Sequence, residues 1–309
     1  MSRRSVLVTG AGGFVGSTLV TSFAELGLDV IAVDRAFDDE ADGAASMGRV
    51  RRMTGELDAE LILHLPPVDL VVHGAWITTD PEYLGITREE YAAENLEPLR
   101  RILEWARSRE PKALVFLSSS GVFGAGDGDD ALTDADTPTS KAPYAEAKRE
   151  AERLALLFAG EAGGGPETFV VRLGYLFGPD ERSRPTRTGR SLVTEWIASA
   201  EKGEPLPVRS DDPARDWTYT GDLAPALLRL VDGPSPPRAI HLGSPHRYRD
   251  SEVASLIAGR YPRARVTTVP DGATVKAPMA PSEVPALEGF GWTDLPTALQ
   301  LMVGQGASV

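Results

Sequence analysis

Short apolar runs recur along the chain, separated by stretches with helical periodicity. Val6-Leu7-Val8 after Ser5, Val30-Ile31-Ala32-Val33, Leu70-Val71-Val72, Ala113-Leu114-Val115-Phe116-Leu117, Phe169-Val170-Val171 and Ala239-Ile240-His241-Leu242 are too short for helices. Most are apolar at every position, as strands buried on both faces are. Between the first two, Leu19, Val20, Phe23 and Leu26 keep a helical spacing that Gly27 ends, and residues 88–107 and 144–158 carry longer helical patterns. Strand and helix therefore alternate. This order predicts a parallel sheet covered by helices on both faces, with ligands beyond the carboxyl ends of its strands.

The first strand-to-helix junction reads Thr9-Gly10-Ala11-Gly12-Gly13-Phe14-Val15-Gly16. Gly10 allows a tight turn, Gly13 lets backbone N–H groups approach a pyrophosphate at the helix amino end, and Gly16 lets the helix lie close on the sheet. The next apolar run ends in Asp34, 18 residues after Gly16. A carboxylate there accepts hydrogen bonds from adenosine ribose hydroxyls, which favours NAD. Arg35 follows directly and suits a 2′-phosphate, so NADP stays open as the alternative.

Candidate chemistry sits at a later strand end. The run 113–117 leads into Ser118-Ser119-Ser120-Gly121-Val122-Phe123-Gly124, and Tyr144 and Lys148 follow, four residues apart. On a helix that spacing puts phenol and ammonium on one face. A free phenol titrates near pH ~10, and an adjacent cation favours its phenolate. Such a pair can pass a proton to or from a substrate hydroxyl while hydride moves to or from a cofactor. His73 reads as a packed strand-end residue. Asp127, Asp129, Asp130, Asp134 and Asp136 read as a solvated loop, since they lack the spacing of a calcium site. Residues 160–166, rich in Gly, read as a surface connection.

Taken together, the Gly-rich junction at 9–16, Asp34, Ser118–Gly124 and Tyr-x-x-x-Lys at 144–148 resemble the extended short-chain dehydrogenases/reductases, the NAD-dependent epimerase/dehydratase family of sugar chemistry. Further segments carry the resemblance: His73-Gly74-Ala75, Asn95, Val171 to Pro179 and Arg215 to Asp222. It implies an α/β fold, a Rossmann-type doubly wound parallel sheet with a smaller, discontinuous C-terminal substrate-binding part. The dinucleotide-binding domain would be 1–173 and 215–245, the substrate-binding part 174–214 and 246–309. By position, Ser119, Tyr144 and Lys148 would be catalytic. Gly10, Gly13, Phe14, Val15, Gly16, Asp34, Arg35, Glu56, Leu57, Gly74, Ala75, Asn95 and Ser118, with Tyr144 and Lys148, would bind the cofactor. Asn95 stands open between a plain polar helix position and an anchor for the Ser119 loop. Trp76, Thr78, Ser119, Ser120, Tyr144, Gly174, Arg184 and Arg215 would face the substrate, Arg215 at its diphosphate. Helices 91–106 and 144–158 would form a homodimer contact.

Departures from the family pattern sharpen the reading. Gly174 stands where the family often has a substrate-contacting Asn, and Gly189-Arg190-Ser191-Leu192 replaces an Asn-rich segment. Trp76 replaces a small residue. An Asp-Glu pair typical of nucleotide-sugar dehydratases is replaced by Ser120-Gly121, which speaks against elimination chemistry.

Composition sets the outer limits. The 309 residues contain no Cys, which excludes disulfides, thiolate nucleophiles, Fe–S clusters and Cys-ligated zinc. Four scattered His offer no metal-ligand spacing, so no metal is expected. A net charge of −13 disfavours nucleic acid and anionic membrane partners. Against that background Arg182, Arg184, Arg187, Arg190, Arg209 and Arg215 form a local reversal that suits a small anionic substrate, unless they are a solvated mobile loop. The apolar run at 6–8 is too short for a signal, and no stretch approaches the ~20 apolar residues of a spanning helix, so a cytoplasmic protein is expected. The expected function is an NAD-dependent dehydrogenase/reductase or epimerase acting on a secondary alcohol or ketone of a sugar, sugar acid or nucleotide sugar. The alternative is a dinucleotide-sensing protein of the same fold without chemistry.

Overall fold

The computed structural model describes residues 3–37, 48–128, 130–160, 165–179, 181–236, 238–272 and 274–306. Asp129, part of the loop 160–166 and the first two residues lie outside the described residues. Seven parallel strands form the main sheet: β1 (Ser5–Thr9), β2 (Asp29–Asp34), β3 (Val50–Thr54), β4 (Leu70–His73), β5 (Ala113–Ser119), β6 (Glu167–Leu173) and β11 (Ile240–Leu242). Their order across the sheet is β11-β6-β5-β4-β1-β2-β3. The chain reverses direction of travel between β1 and β4, where Val6 faces Leu70 on one side and Val30 on the other. A crevice therefore opens above Thr9 and His73, where ligands bind in such sheets. Strand β3 escaped the apolar pattern because it lies at the sheet edge and carries Arg51 and Arg52, which an edge strand tolerates.

Helices cover both faces. On one side α1 (Phe14–Glu25) and α7 (Leu223–Leu230) bury Leu19, Phe23, Leu223 and Leu227 against the sheet. On the other, α2 (Ala59–Leu63), α4 (Arg88–Arg109) and α5 (Pro143–Gly160) bury Leu99, Ile102, Ala151 and Ala155 with Phe116 and Val170. Thr87 and Glu90 close a capping box on α4, which holds its start beside the cleft. On α4, Tyr91, Leu96, Leu99, Ile102, Leu103, Trp105 and Ala106 are buried within the chain.

A separate core builds the smaller part. Short α3 (Pro81–Leu84) precedes α4; β7 (Tyr175–Phe177) pairs with β10 (Trp217–Tyr219), β9 (Ala214–Arg215) with β12 (Tyr248–Arg249), and β8 (Pro205–Arg209) with β13 (Arg265–Val269). Helices α6 (Leu192–Lys202), α8 (Asp250–Ala258) and α9 (Leu295–Gly306) enclose Phe177, Trp196, Trp217, Ile257 and Leu299. Val284, Leu287, Phe290 and Trp292 instead pack against the sheet's α1 side, although the sequence reading grouped 246–309 with the substrate-binding part. Among the described residues no helix is long and apolar enough to cross a membrane.

Candidate active site

Two cavities meet at the carboxyl ends of β1, β4 and β5. The outer one, of 480 Å³, is lined by Gly10, Gly13, Asp34, Arg35, Glu56, Leu57, Gly74, Ala75, Trp76 and Asn95. Gly10 has φ +71°, and a Cβ there would stand 2.6 Å from the Gly74 backbone, so both turn and close approach demand glycine. The Gly12 amide donates to Asp34 Oδ2 at 2.9 Å, and a side chain at Gly12 would collide with the Ala36 carbonyl. The three-glycine reading passed over Gly12; its constraint comes from β2, not from the loop itself. No side chain caps α1, so the amides of its first turn are free for an anion. Arg35 pairs with Glu56 at 3.6 Å, and Glu94 and Glu97 line the same wall. A 2′-phosphate would meet this acidic rim, whereas ribose hydroxyls find an acceptor in Asp34. The cradle fits NAD. Asn95 is spent on the backbone: its Oδ1 accepts from the Ile77 amide at 2.7 Å and its Nδ2 donates to the Tyr91 carbonyl. It thus anchors the segment after β4 rather than the Ser119 loop.

The inner cavity, of 410 Å³, brings together Phe14, Val15, Gly16, Trp76, Thr78, Ser118, Ser119, Tyr144, Lys148, Gly174, Arg184 and Arg215. Ser119 caps a one-turn 3-10 helix by accepting from the Gly121 amide at 3.0 Å, which leaves its O–H free to donate. Burial raises the Tyr144 hydroxyl above its ordinary range, while the Ser119 hydroxyl and the Arg187 guanidinium pull it back. Lys148 Nζ donates to the Leu117 carbonyl at 2.7 Å and sits 3.8 Å above the Trp76 ring. Burial pushes the Lys148 ammonium down to about 7, against the opposing charge of Glu152. Arg187, from another part of the chain, is a cation that favours the Tyr144 phenolate, and Lys148 Nζ lies 6.0 Å from the centre of the Tyr144 ring. His73 is fully buried, its Nδ1 bonded to Thr9 Oγ1 at 2.8 Å, and burial lowers it to about 3.

Several expected contacts are otherwise engaged. Ser118 donates to Glu152 Oε1 at 2.6 Å, and Glu152 holds Arg172 through two hydrogen bonds, so the Ser118 hydroxyl serves this buried pair and not a cofactor. Ser120 is buried within the 3-10 turn and lines neither cavity. Arg215 forms a two-fold pair with Asp250 at 2.7 and 2.8 Å, which neutralises the charge expected to meet a diphosphate. Gly174 is small because the Asp216 carboxylate fills the space a Cβ would need.

The segment from Arg182 to Arg190 crosses above both cavities. The Thr78 amide and hydroxyl donate to the Thr186 carbonyl at 2.8 and 3.1 Å, and Thr79 Oγ1 donates to the Pro185 carbonyl at 2.8 Å. Arg184 and Arg187 exchange backbone hydrogen bonds, making a small hairpin. The arginines are thus a strap over the site rather than a solvated loop, an outcome that required knowing what lies beneath them.

Comparison with known proteins agrees with this geometry. The model of the NAD dependent epimerase/dehydratase family matches residues 6–243. A dTDP-4-dehydro-6-deoxy-D-allose reductase of Streptomyces bikiniensis is 30% identical over 241 residues, 74% of this chain and 73% of its own. An uncharacterized UDP-glucose epimerase of Bacillus subtilis (strain 168) is 27% identical over 264 residues, covering 82% and 80%. The solved structure of MoeE5 in complex with UDP-glucuronic acid and NAD shares 26% identity and superposes with TM-score 0.78, covering 98% of each chain.

Proposed function

The chain belongs to the NAD dependent epimerase/dehydratase family, and from that premise we propose that it oxidises or reduces a secondary alcohol carbon of a nucleotide-sugar ring, with Tyr144 as general acid/base. The work would be that of an epimerase, which returns hydride to the same carbon, or of a dehydrogenase/reductase. The observation that carries the reading is the convergence of Ser119, Tyr144 and Lys148 on the cavity that also holds the free amino end of α1.

Gly10, Gly12, Gly13 and the first turn of α1 would hold the pyrophosphate of NAD, and Asp34 its adenosine ribose. Bound there, NAD supplies the hydride acceptor or donor. Tyr144 removes the proton of the substrate hydroxyl on oxidation and restores it on reduction. Ser119 uses its free O–H to hold the same hydroxyl in line. Lys148, on the Tyr144 face of α5, would hold the nicotinamide ribose. The sensing alternative leaves a phenol placed beside a serine, a lysine and an arginine without a use. The same resemblance implies a homodimer through α4 and α5, where Leu157 is exposed; sedimentation velocity decides between one copy and two.

Tyr144→Phe is expected to abolish turnover while leaving NAD binding intact, since only the ionisable oxygen is lost. Substrate conversion across a panel of nucleotide sugars, together with dinucleotide released on denaturation, reads both quantities. Retained turnover in the variant would sink the assignment.

A further inference from the structure

Trp76 stands where the two cavities meet and lines both. The backbone that follows it fixes its place: the Ile77 amide donates to Asn95 Oδ1 at 2.7 Å and the Thr78 amide to the Thr186 carbonyl at 2.8 Å. The face of its indole covers Lys148, with Nζ 3.8 Å from the ring centre. Phe116, fully buried on β5, offers a second ring 4.8 Å from the same Nζ, and the two rings stand 6.0 Å apart. Trp76 also meets the Tyr144 ring at 83°, with centroids 6.5 Å apart. Among the described residues Lys148 makes one hydrogen bond, to the Leu117 carbonyl at 2.7 Å. Two of its three N–H groups therefore lack an oxygen acceptor, and the negative ring faces of Trp76 and Phe116 stand next to them.

Resting on the function proposed above, we propose that Trp76 is the positioning residue of the proton-transfer pair: its indole face holds the Lys148 ammonium at the Leu117 carbonyl, on the Tyr144 side of α5. An ammonium is drawn to a ring face only while it is charged, so the contact also keeps the proton on Nζ. Burial pulls Lys148 down to about 7, and a modest attraction then decides its charge near neutrality. Of the titratable groups around it, Glu152 favours the ammonium while being shared with Ser118 and Arg172, and His73 is neutral. Tyr144, its ring centre 6.0 Å from Nζ, stays an uncharged phenol until it gives up its proton. A leucine at 76 would cover Nζ with apolar surface and offer its charge nothing. Trp76 thus acts through Lys148.

Tryptophan carrying one to four ring fluorines, placed at position 76, withdraws charge from the ring face with little change of shape. The chain has five lysines, so an isotope label on lysine Cε lets the Lys148 titration be followed by NMR in the intact chain, with Lys148→Arg identifying its signal. The Lys148 midpoint is expected to fall stepwise with fluorination, by about one pH unit, or about tenfold in proton affinity, at four fluorines. Trp76→Leu should lower it as far, and Trp76→Phe, which keeps a ring face, should recover most of the loss. A midpoint unmoved by fluorination overturns the proposal, since the indole would then only fill space. Turnover of a nucleotide sugar by Tyr144→Phe would instead refute the catalytic reading and leave the hold of Trp76 on Lys148 standing.

Discussion

Asp216 is a carboxylate placed where water does not reach it: 2% exposed, with no hydrogen-bond partner for either oxygen. Burial pushes it up to about 6, against the nearby Lys276 charge. Because folding raises its proton affinity, its share of stability is whole below its unfolded value of 3.8 and is lost as pH rises through about 6. Asp216→Asn should therefore be more stable than the parent by on the order of 2 kcal/mol at about pH 7.5, and by well under half of that near pH 4. Thermal unfolding at the two pH values reads the difference; an equal gain at both would refute the account. The same residue explains Gly174. The loss of a family Asn was legible in the sequence, but its cause was not, because Asp216 lies 42 positions away and only the β7–β10 pairing brings it alongside.

At the scale of elements, Ser118 on β5, Glu152 on α5 and Arg172 on β6 form a buried unit that ties β5 and β6 to α5. Removing one partner of a buried ion pair strands the other. Glu152→Gln is expected to destabilise the fold by about 3 to 5 kcal/mol and to lower the Lys148 ammonium further, since Glu152 is the charge that supports it. Urea unfolding checks the first and amine titration by NMR the second; an unchanged midpoint would remove the pair from the account. Ser118 stood out in sequence as one of three adjacent serines, and adjacency said nothing about direction. Alternate residues of a strand face opposite sides, so Ser119 turns to the cavity while Ser118 reaches Glu152. The helices from 88 and from 143 were legible because their periodicity is long, whereas β3 was not, being short, polar and marginal to the sheet.

For the whole molecule, the strap from Arg182 to Arg190 closes the cleft between sheet and cap. It is bolted to the segment after β4 by hydrogen bonds from Thr78 and Thr79. A dinucleotide spanning the two cavities would lie under it, so its exchange would require those bonds to open. Thr79→Val deletes one bond worth about 1 kcal/mol with little change of shape, and NAD release should quicken about fivefold. Chase of bound NAD by excess free NAD measures the rate, and an unchanged rate would show that the strap does not gate release.

The sequence by itself determined the alternating sheet, the glycine turn beside Asp34 and the placing of Tyr144 and Lys148 on one helix, since each depends on short-range periodicity or spacing that the backbone must obey, whereas Ser119 was singled out by the family resemblance. Only the tertiary structure decided the charge environment. It showed that Arg215 is neutralised by Asp250, that Arg184 belongs to a strap, and that Arg187 is held by Glu181 over the Phe14 ring. Pairing between charges far apart in the chain is set by how the layers pack, and local sequence carries no record of which arginine finds which carboxylate.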